Sequence, residues 1–143
     1  MPYCTTSDIE KLIPRALMVT LSNDVNGATE PNAANMAEVI DQADREIDAY
    51  LSVAGYSVPM SPVPPLVTNL SIHMAIWNLY LRKGVGSDNR ERTYVRCCKL
   101  LERIAEGKVN LGELESGVPV TAPSAVVVDA RDQRFTDDLW STF

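Results

Sequence analysis

The chain has 143 residues, with 19 acidic and 13 basic side chains, one His and a net charge of −6. That length suits one domain, and 45% apolar with 22% charged residues excludes a disordered, collagen-like or disulfide-scaffold chain. The acidic balance argues against a protein that wraps nucleic acid by bulk charge.

The start, MPYCTTSDIEK, has no basic run followed by an apolar stretch, so no signal peptide is expected. The first helix should begin at Thr5, with Asp8 three residues on completing a capping box. Ile9, Leu12 and Ile13 give its apolar face. Pro14 breaks or restarts it, and Leu17, Met18 and Leu21 continue. Ser22 to Asn32 is a loop of turn formers.

Ala33 to Ala54 carries the clearest helical period. Met36, Val39, Ile40, Ala43, Ile47, Tyr50, Leu51 and Ala54 fall in an arc of about 120°. Asp41, Asp44 and Asp48 are expected on the opposite side as one acidic stripe. Gly55 ends the helix. The proline-rich Tyr56 to Pro65 should form a stiff extended strap, with Pro64 or Pro65 opening the next helix.

Ala49 to Leu81 holds no Asp, Glu, Lys or Arg. Its prolines and its polar Thr68, Asn69, Ser71, His73 and Asn78 argue against a membrane span and for a buried helix from Leu66 to Lys83. Leu66, Leu70, Met74, Trp77 and Leu81 would occupy one side and Ile72, Ile76 and Leu79 the other, so the helix needs cover twice. Trp77 is expected among the main core anchors. Asn89 to Glu106 is amphipathic again, with Tyr94, Cys97, Cys98, Leu101, Ile104 and Ala105 on one face. Arg92, Arg96, Lys99 and Arg103 line the other within about 60°.

Beyond Lys108 the pattern changes. Pro119 and Pro123 forbid a helix, Ala125–Val128 is β-prone, and Phe135, Leu139, Trp140 and Phe143 are large apolar anchors with no core of their own. The expected architecture is all-α: a small bundle of four to five helices over residues 1–112, then a strand-bearing extended arm over 113–143. Val126, Val128, Phe135, Leu139, Trp140 and Phe143 are the arm's candidate partner contacts.

Signals for catalysis are poor. No nucleophile elbow, phosphate loop, dinucleotide fingerprint or metalloprotease helix is present. His73 reads as a hydrogen-bonded core histidine. The aspartate stripe lacks the looped oxygen ligands of a hard-cation site. Cys4, Cys97 and Cys98 with one His lack the paired spacing of a zinc site and read as reduced, buried thiols. No catalytic residue, cofactor or metal is expected. Assembly is better supported. An acidic and a basic stripe on two helices of one chain suit a head-to-tail contact between copies, and heterologous contacts of that kind close into rings.

The chain also resembles the Mu-like phage family of head–tail connector (adaptor) proteins. The resemblance rests on Tyr3-Cys4-Thr5 with Asp8, on Glu46-Ile47-Asp48-Ala49-Tyr50-Leu51, and on Pro59 with Pro62-Val63-Pro64-Pro65-Leu66. It continues through Leu100-Leu101, Ile104-Ala105, Gly107-Lys108 with Leu111, and Arg134-Phe135-Thr136 with Asp138-Leu139. It implies a virion structural protein and no catalytic residues. Related connectors form a ring, usually of twelve subunits, beneath the portal of a tailed phage. They extend the DNA channel and meet the stopper or tail. Implied partners are therefore further copies of the chain, the portal protein, a stopper or tail protein, and passing DNA bound without sequence specificity. The implied location is the virion neck, assembled in the host cytoplasm. A tail-completion or terminator protein is the nearest rival. A small helical DNA-binding regulator is a more distant one, with Asn89–Glu106 its only candidate recognition helix.

Overall fold

The computed structural model describes residues 1–111. Within them the chain is all-helical: α1 (Thr6–Glu10), α2 (Arg15–Ser22), α3 (Ala33–Val53), α4 (Pro65–Lys83) and α5 (Asp88–Ala105). The expected boundary at 112/113, the strand at Ala125–Val128 and the whole arm lie outside the described residues.

Each helix starts and stops for a local reason. Thr5 caps α1 by accepting from the Asp8 amide, and the Asp8 carboxylate accepts from the Thr5 backbone at 3.0 Å, a complete capping box. Pro14 separates α1 from α2, as its missing N–H requires. Asn32 caps α3 through the Asn35 amide at 3.1 Å. Pro65 takes the first turn of α4, where no partner for its nitrogen is needed. Gly84 ends α4 in the left-handed region at φ 68°. The acids Asp88 and Glu91 sit in the first turn of α5 and Arg103 in its last, each matching the helix dipole.

α4 is the central element and touches α1, α2, α3 and α5. Its buried residues are Val67, Leu70, Ser71, Met74, Ala75, Ile76 and Leu79. At 100° per residue they sweep an arc of about 240°, which accounts for apolar residues on nearly every side of the helix. α3 contributes Met36, Val39, Ile40, Ala43, Ile47 and Leu51 to the same core, and α5 adds Cys97, Leu101 and Ile104. The strap crosses this core and buries Tyr56 and Met60. Its Val58–Pro59 and Ser61–Pro62 bonds are cis. After α5 the chain reverses at Gly107, where the Lys108 amide donates to Arg103 O at 2.9 Å, and Val109 and Leu111 pack back on the core.

Three side chains depart from the sequence expectation. Leu12 is 46% exposed, because the helix ends before it and only Ile9 and Ile13 turn inward. Leu81 is 57% exposed in the last turn of α4. Trp77 is half-buried and is not a main anchor of the core. It sits in the gap of the α4 buried arc and stacks on Tyr94 of α5, ring centroids 5.8 Å apart. Trp77→Ala should therefore cost about 1–2 kcal/mol, between the worth of an aromatic pair and that of a fully buried ring. Urea unfolding measures this, and a loss above about 3 kcal/mol would put the ring in the core after all.

Candidate functional site: a basic helix face and a buried N-terminal network

The two predicted charge stripes have different fates. On α5, Arg92, Arg96, Lys99 and Arg103 are all exposed, as expected. They lie opposite Cys97, Leu101 and Ile104, so core packing orients them outward. Among the described residues none of the four has an ion-pair or hydrogen-bond partner. Arg92, Val95, Arg96 and Lys99, with Asp88 and Glu91 at one end, line a shallow groove of about 480 Å³. Val95 is 42% exposed there and gives the groove an apolar floor.

The acidic stripe of α3 is not a free surface. Asp44 is buried at 9% exposure, which corrects its placement on a solvated face. It accepts from the Tyr3 amide at 2.8 Å and from Ser71 Oγ at 2.6 Å. Asp48 is half-buried and accepts from the Tyr3 hydroxyl, which itself accepts from the Met60 amide at 2.9 Å. Asp41 is exposed and pairs with Arg45 one turn on. The helical wheel explains the error. Asp44 lies only about 20° from Leu51, so the stripe borders the apolar arc rather than opposing it.

This network is the feature that sequence reasoning missed. Tyr3 is 3% exposed and Cys4 2%. The first residues are thus pinned to α3, α4 and the strap through one tyrosine, two aspartates and a serine. Ser71 has a single hydroxyl proton, and it goes to Asp44. Cys4 Sγ, 3.2 Å from Ser71 Oγ, is then the donor of that contact. Burial pushes the Cys4 thiol up to about 11, and the nearby Asp44 and Asp8 charges add to the rise, so the thiol keeps its proton. Burial also raises the Tyr3 hydroxyl, with Asp48 adding to it. Between these first residues and α3 lies a groove of about 590 Å³, its polar wall made by Asp41, Asp44, Arg45 and Asp48.

Other candidates are quiet. Cys97 is buried, with its thiol pushed up to about 11 by burial, which makes it a poor nucleophile. Cys98 is half-buried beside Glu46, which also accepts from the Tyr94 hydroxyl at 2.7 Å. All three thiols are free. His73 is half-buried, but its Nδ1 has no hydrogen-bond partner among the described residues, which corrects the expected hydrogen-bonded core histidine. Burial, then the Arg90 charge, lowers its pKa, so it is neutral at pH 7. Among the described residues no three His, Cys, Asp or Glu side chains are grouped to hold a metal. No described helix is long and apolar enough to cross a membrane. Val126, Val128, Phe135, Leu139, Trp140 and Phe143 lie outside the described residues.

Comparison with known proteins gives this arrangement a context. The Mu-like prophage FluMu protein gp36 of Haemophilus influenzae is 24% identical over 97 residues, covering 68% of this chain and 67% of that protein. The family model described as "Bacteriophage Mu, Gp36" matches residues 3–130. That match begins at the buried Tyr3, takes in all five helices and runs past the last described residue, and the chain belongs to the bacteriophage Mu Gp36 family.

Proposed function

We propose that this chain is a structural subunit of a tailed-phage neck, an adaptor ring beneath the portal that joins head to tail and extends the DNA channel. The observation that carries the reading is the α5 face: four exposed cations in one row on a helix whose other face is locked in the core. Such a row is a contact surface, and a head-to-tail contact between copies places it against acidic groups of the next subunit. Family membership supports the phage context. The buried network supports a scaffold role, since its titratable groups are consumed in holding the chain's first residues. No catalytic role is proposed.

In this reading Arg92, Arg96, Lys99 and Arg103 form the basic side of the subunit contact. Asp41 is the exposed part of the acidic side, while Asp44 and Asp48 are engaged by Tyr3. Exposed pairs are worth about 0.2–1 kcal/mol each, so they set register more than affinity. Reversing Arg96 and Arg103 to Glu should reduce the ring in native mass spectra. Reversing Asp41 to Lys in the same chain should restore part of it. Independent effects of the two reversals would exclude the pairing.

The arm from 113 to 143 would hold the portal. An extended segment such as Val118–Val128 adds to a sheet edge, with Val126 and Val128 filling alternate pockets, and Phe135, Leu139, Trp140 and Phe143 supply terminal anchors. Native mass spectrometry with and without portal protein tests the whole reading. A ring that binds portal supports it. A chain that ignores portal and binds tail-tube protein makes it a tail-completion protein instead.

The α5 row also favours one second reading, a helical DNA-binding regulator. Glu91, Glu102 and Glu106 on the same helix and the net charge of −6 oppose it. No gel shift with duplex DNA at low salt is the expected result.

A further inference from the structure

The chain's charge is unevenly distributed along its length. Residues 112–143 contain Glu113, Glu115, Asp129, Asp132, Asp137 and Asp138 against Arg131 and Arg134 alone, a net −4 of the chain's −6. The helical body therefore carries only −2, and its most concentrated positive feature is the α5 row. The groove beside that row has a definite chemistry. Val95 is its one apolar lining residue, Arg92, Arg96 and Lys99 stand along it at spacings of 4 and 3 residues, and Asp88 and Glu91 occupy the end away from Lys99. A peptide that suits it has adjacent carboxylates followed directly by large apolar side chains. Asp137-Asp138-Leu139-Trp140 is such a peptide. In the other two acidic stretches, Leu114 stands between Glu113 and Glu115, and Ala130 and Arg131 stand between Asp129 and Asp132.

We propose that in the free chain the segment Asp137–Trp140 docks on the chain's own α5 groove, its two carboxylates on Arg96 and Lys99 and its Leu-Trp pair over Val95. Reach is ample. From Leu111 to Asp137 there are 26 residues, which span up to about 85 Å when extended, against about 27 Å for the length of α5. Tethering favours contact within one chain, because a linker of this length holds its end at an effective concentration on the order of millimolar. The contact is electrostatic and exposed, so it should be weak and lost at high salt, where screening acts within about 3 Å at 1 M. This inference does not depend on the neck reading, since it concerns the free chain alone.

The test is zero-length carbodiimide crosslinking of the full chain, followed by peptide mass spectrometry. The reagent joins a lysine amine to a carboxylate that touches it. The chain has four lysines, Lys11, Lys83, Lys99 and Lys108, so three serve as internal comparators. Links from Lys99 to Asp137 or Asp138 should exceed those from each other lysine several-fold. They should fall at least several-fold in 1 M salt and in Arg96→Glu, with helix content unchanged by circular dichroism. A mixture of isotope-labelled and unlabelled protein should give links within one chain. Three outcomes would overturn the proposal: no preference for Lys99, a yield indifferent to salt and to Arg96→Glu, or links that form mainly between differently labelled chains. Binding to portal is read separately by native mass spectrometry, so either idea can fail without the other.

Discussion

Met74→Ala should lower stability by about 2–5 kcal/mol, whereas Leu81→Ala, on the same helix, should change it by less than about 0.5 kcal/mol. Both are large apolar residues of α4, and the sequence pattern puts both on one face. The structure separates them. Met74 is 0% exposed at the middle of a helix that touches all four others, so truncation leaves a cavity that the packed surroundings can only partly fill. Leu81 is 57% exposed in the last turn, and its removal leaves water where water already was. For a domain of this size each kcal/mol moves the thermal midpoint by roughly 3–6 °C, so Met74→Ala should melt roughly 6–30 °C below the parent. The two residues lie about 20° apart on the helix wheel, so calorimetry of the two variants side by side measures how far along α4 the burial of this face extends. Equal midpoints would mean that the last turn of α4 is as buried as its middle.

That contrast also marks how far periodicity alone can go. The bounds of α3, α4 and α5 were legible to within a residue or two because Asn32, Pro65, Gly84 and the α5 apolar spacing are local signals. The Pro14 break and the Thr5–Asp8 capping box were legible for the same reason. So was the outward basic row, which lies diametrically opposite the apolar face of α5. What failed was discrimination within an apolar helix. Where apolar side chains lie on nearly every side of α4, the pattern has little phase, and only tertiary packing decides that Met74 is inside and Trp77 half outside. Tyr3 failed for another reason. Its burial depends on Asp44, 41 residues away, and on Met60, 57 residues away, and no spacing rule reaches across that distance. Asp44 was nearer to legible, since its position about 20° from Leu51 already puts it at the edge of the buried arc. The bias toward reading carboxylates as surface groups outweighed that angle.

Asp44→Ala is the second large effect expected. It orphans two buried donors at once, the Tyr3 amide and the Ser71 hydroxyl, and should cost about 2–4 kcal/mol. It should also free the chain's first residues. Amide hydrogen exchange at Tyr3 and Cys4 should accelerate by more than at Leu101, whose helix the network does not touch. The pH dependence gives a sharper check, using Asp44→Asn. Burial raises the Asp44 carboxyl above its ordinary 3.8, although the Ser71 and Tyr3 donors pull the other way. The native state then holds this proton more tightly than the unfolded chain does. The contribution of Asp44 to stability therefore falls as pH rises from about 3.8 through the raised value, and is level above it. Asn does not titrate, so the penalty of Asp44→Asn should be larger near pH 4 than near pH 7. Asp8 works in the opposite sense, because Thr5 and Lys11 hold its carboxyl down at about 2 and its contribution is lost as pH falls from 3.8 toward that value. Asp8 is present in both proteins, however, and cancels in the difference. Urea titrations of the two proteins at the two pH values decide the matter. A penalty that grows with pH would mean that the two donors outweigh burial, and that Asp44 is held as a charged clamp on the N-terminal segment.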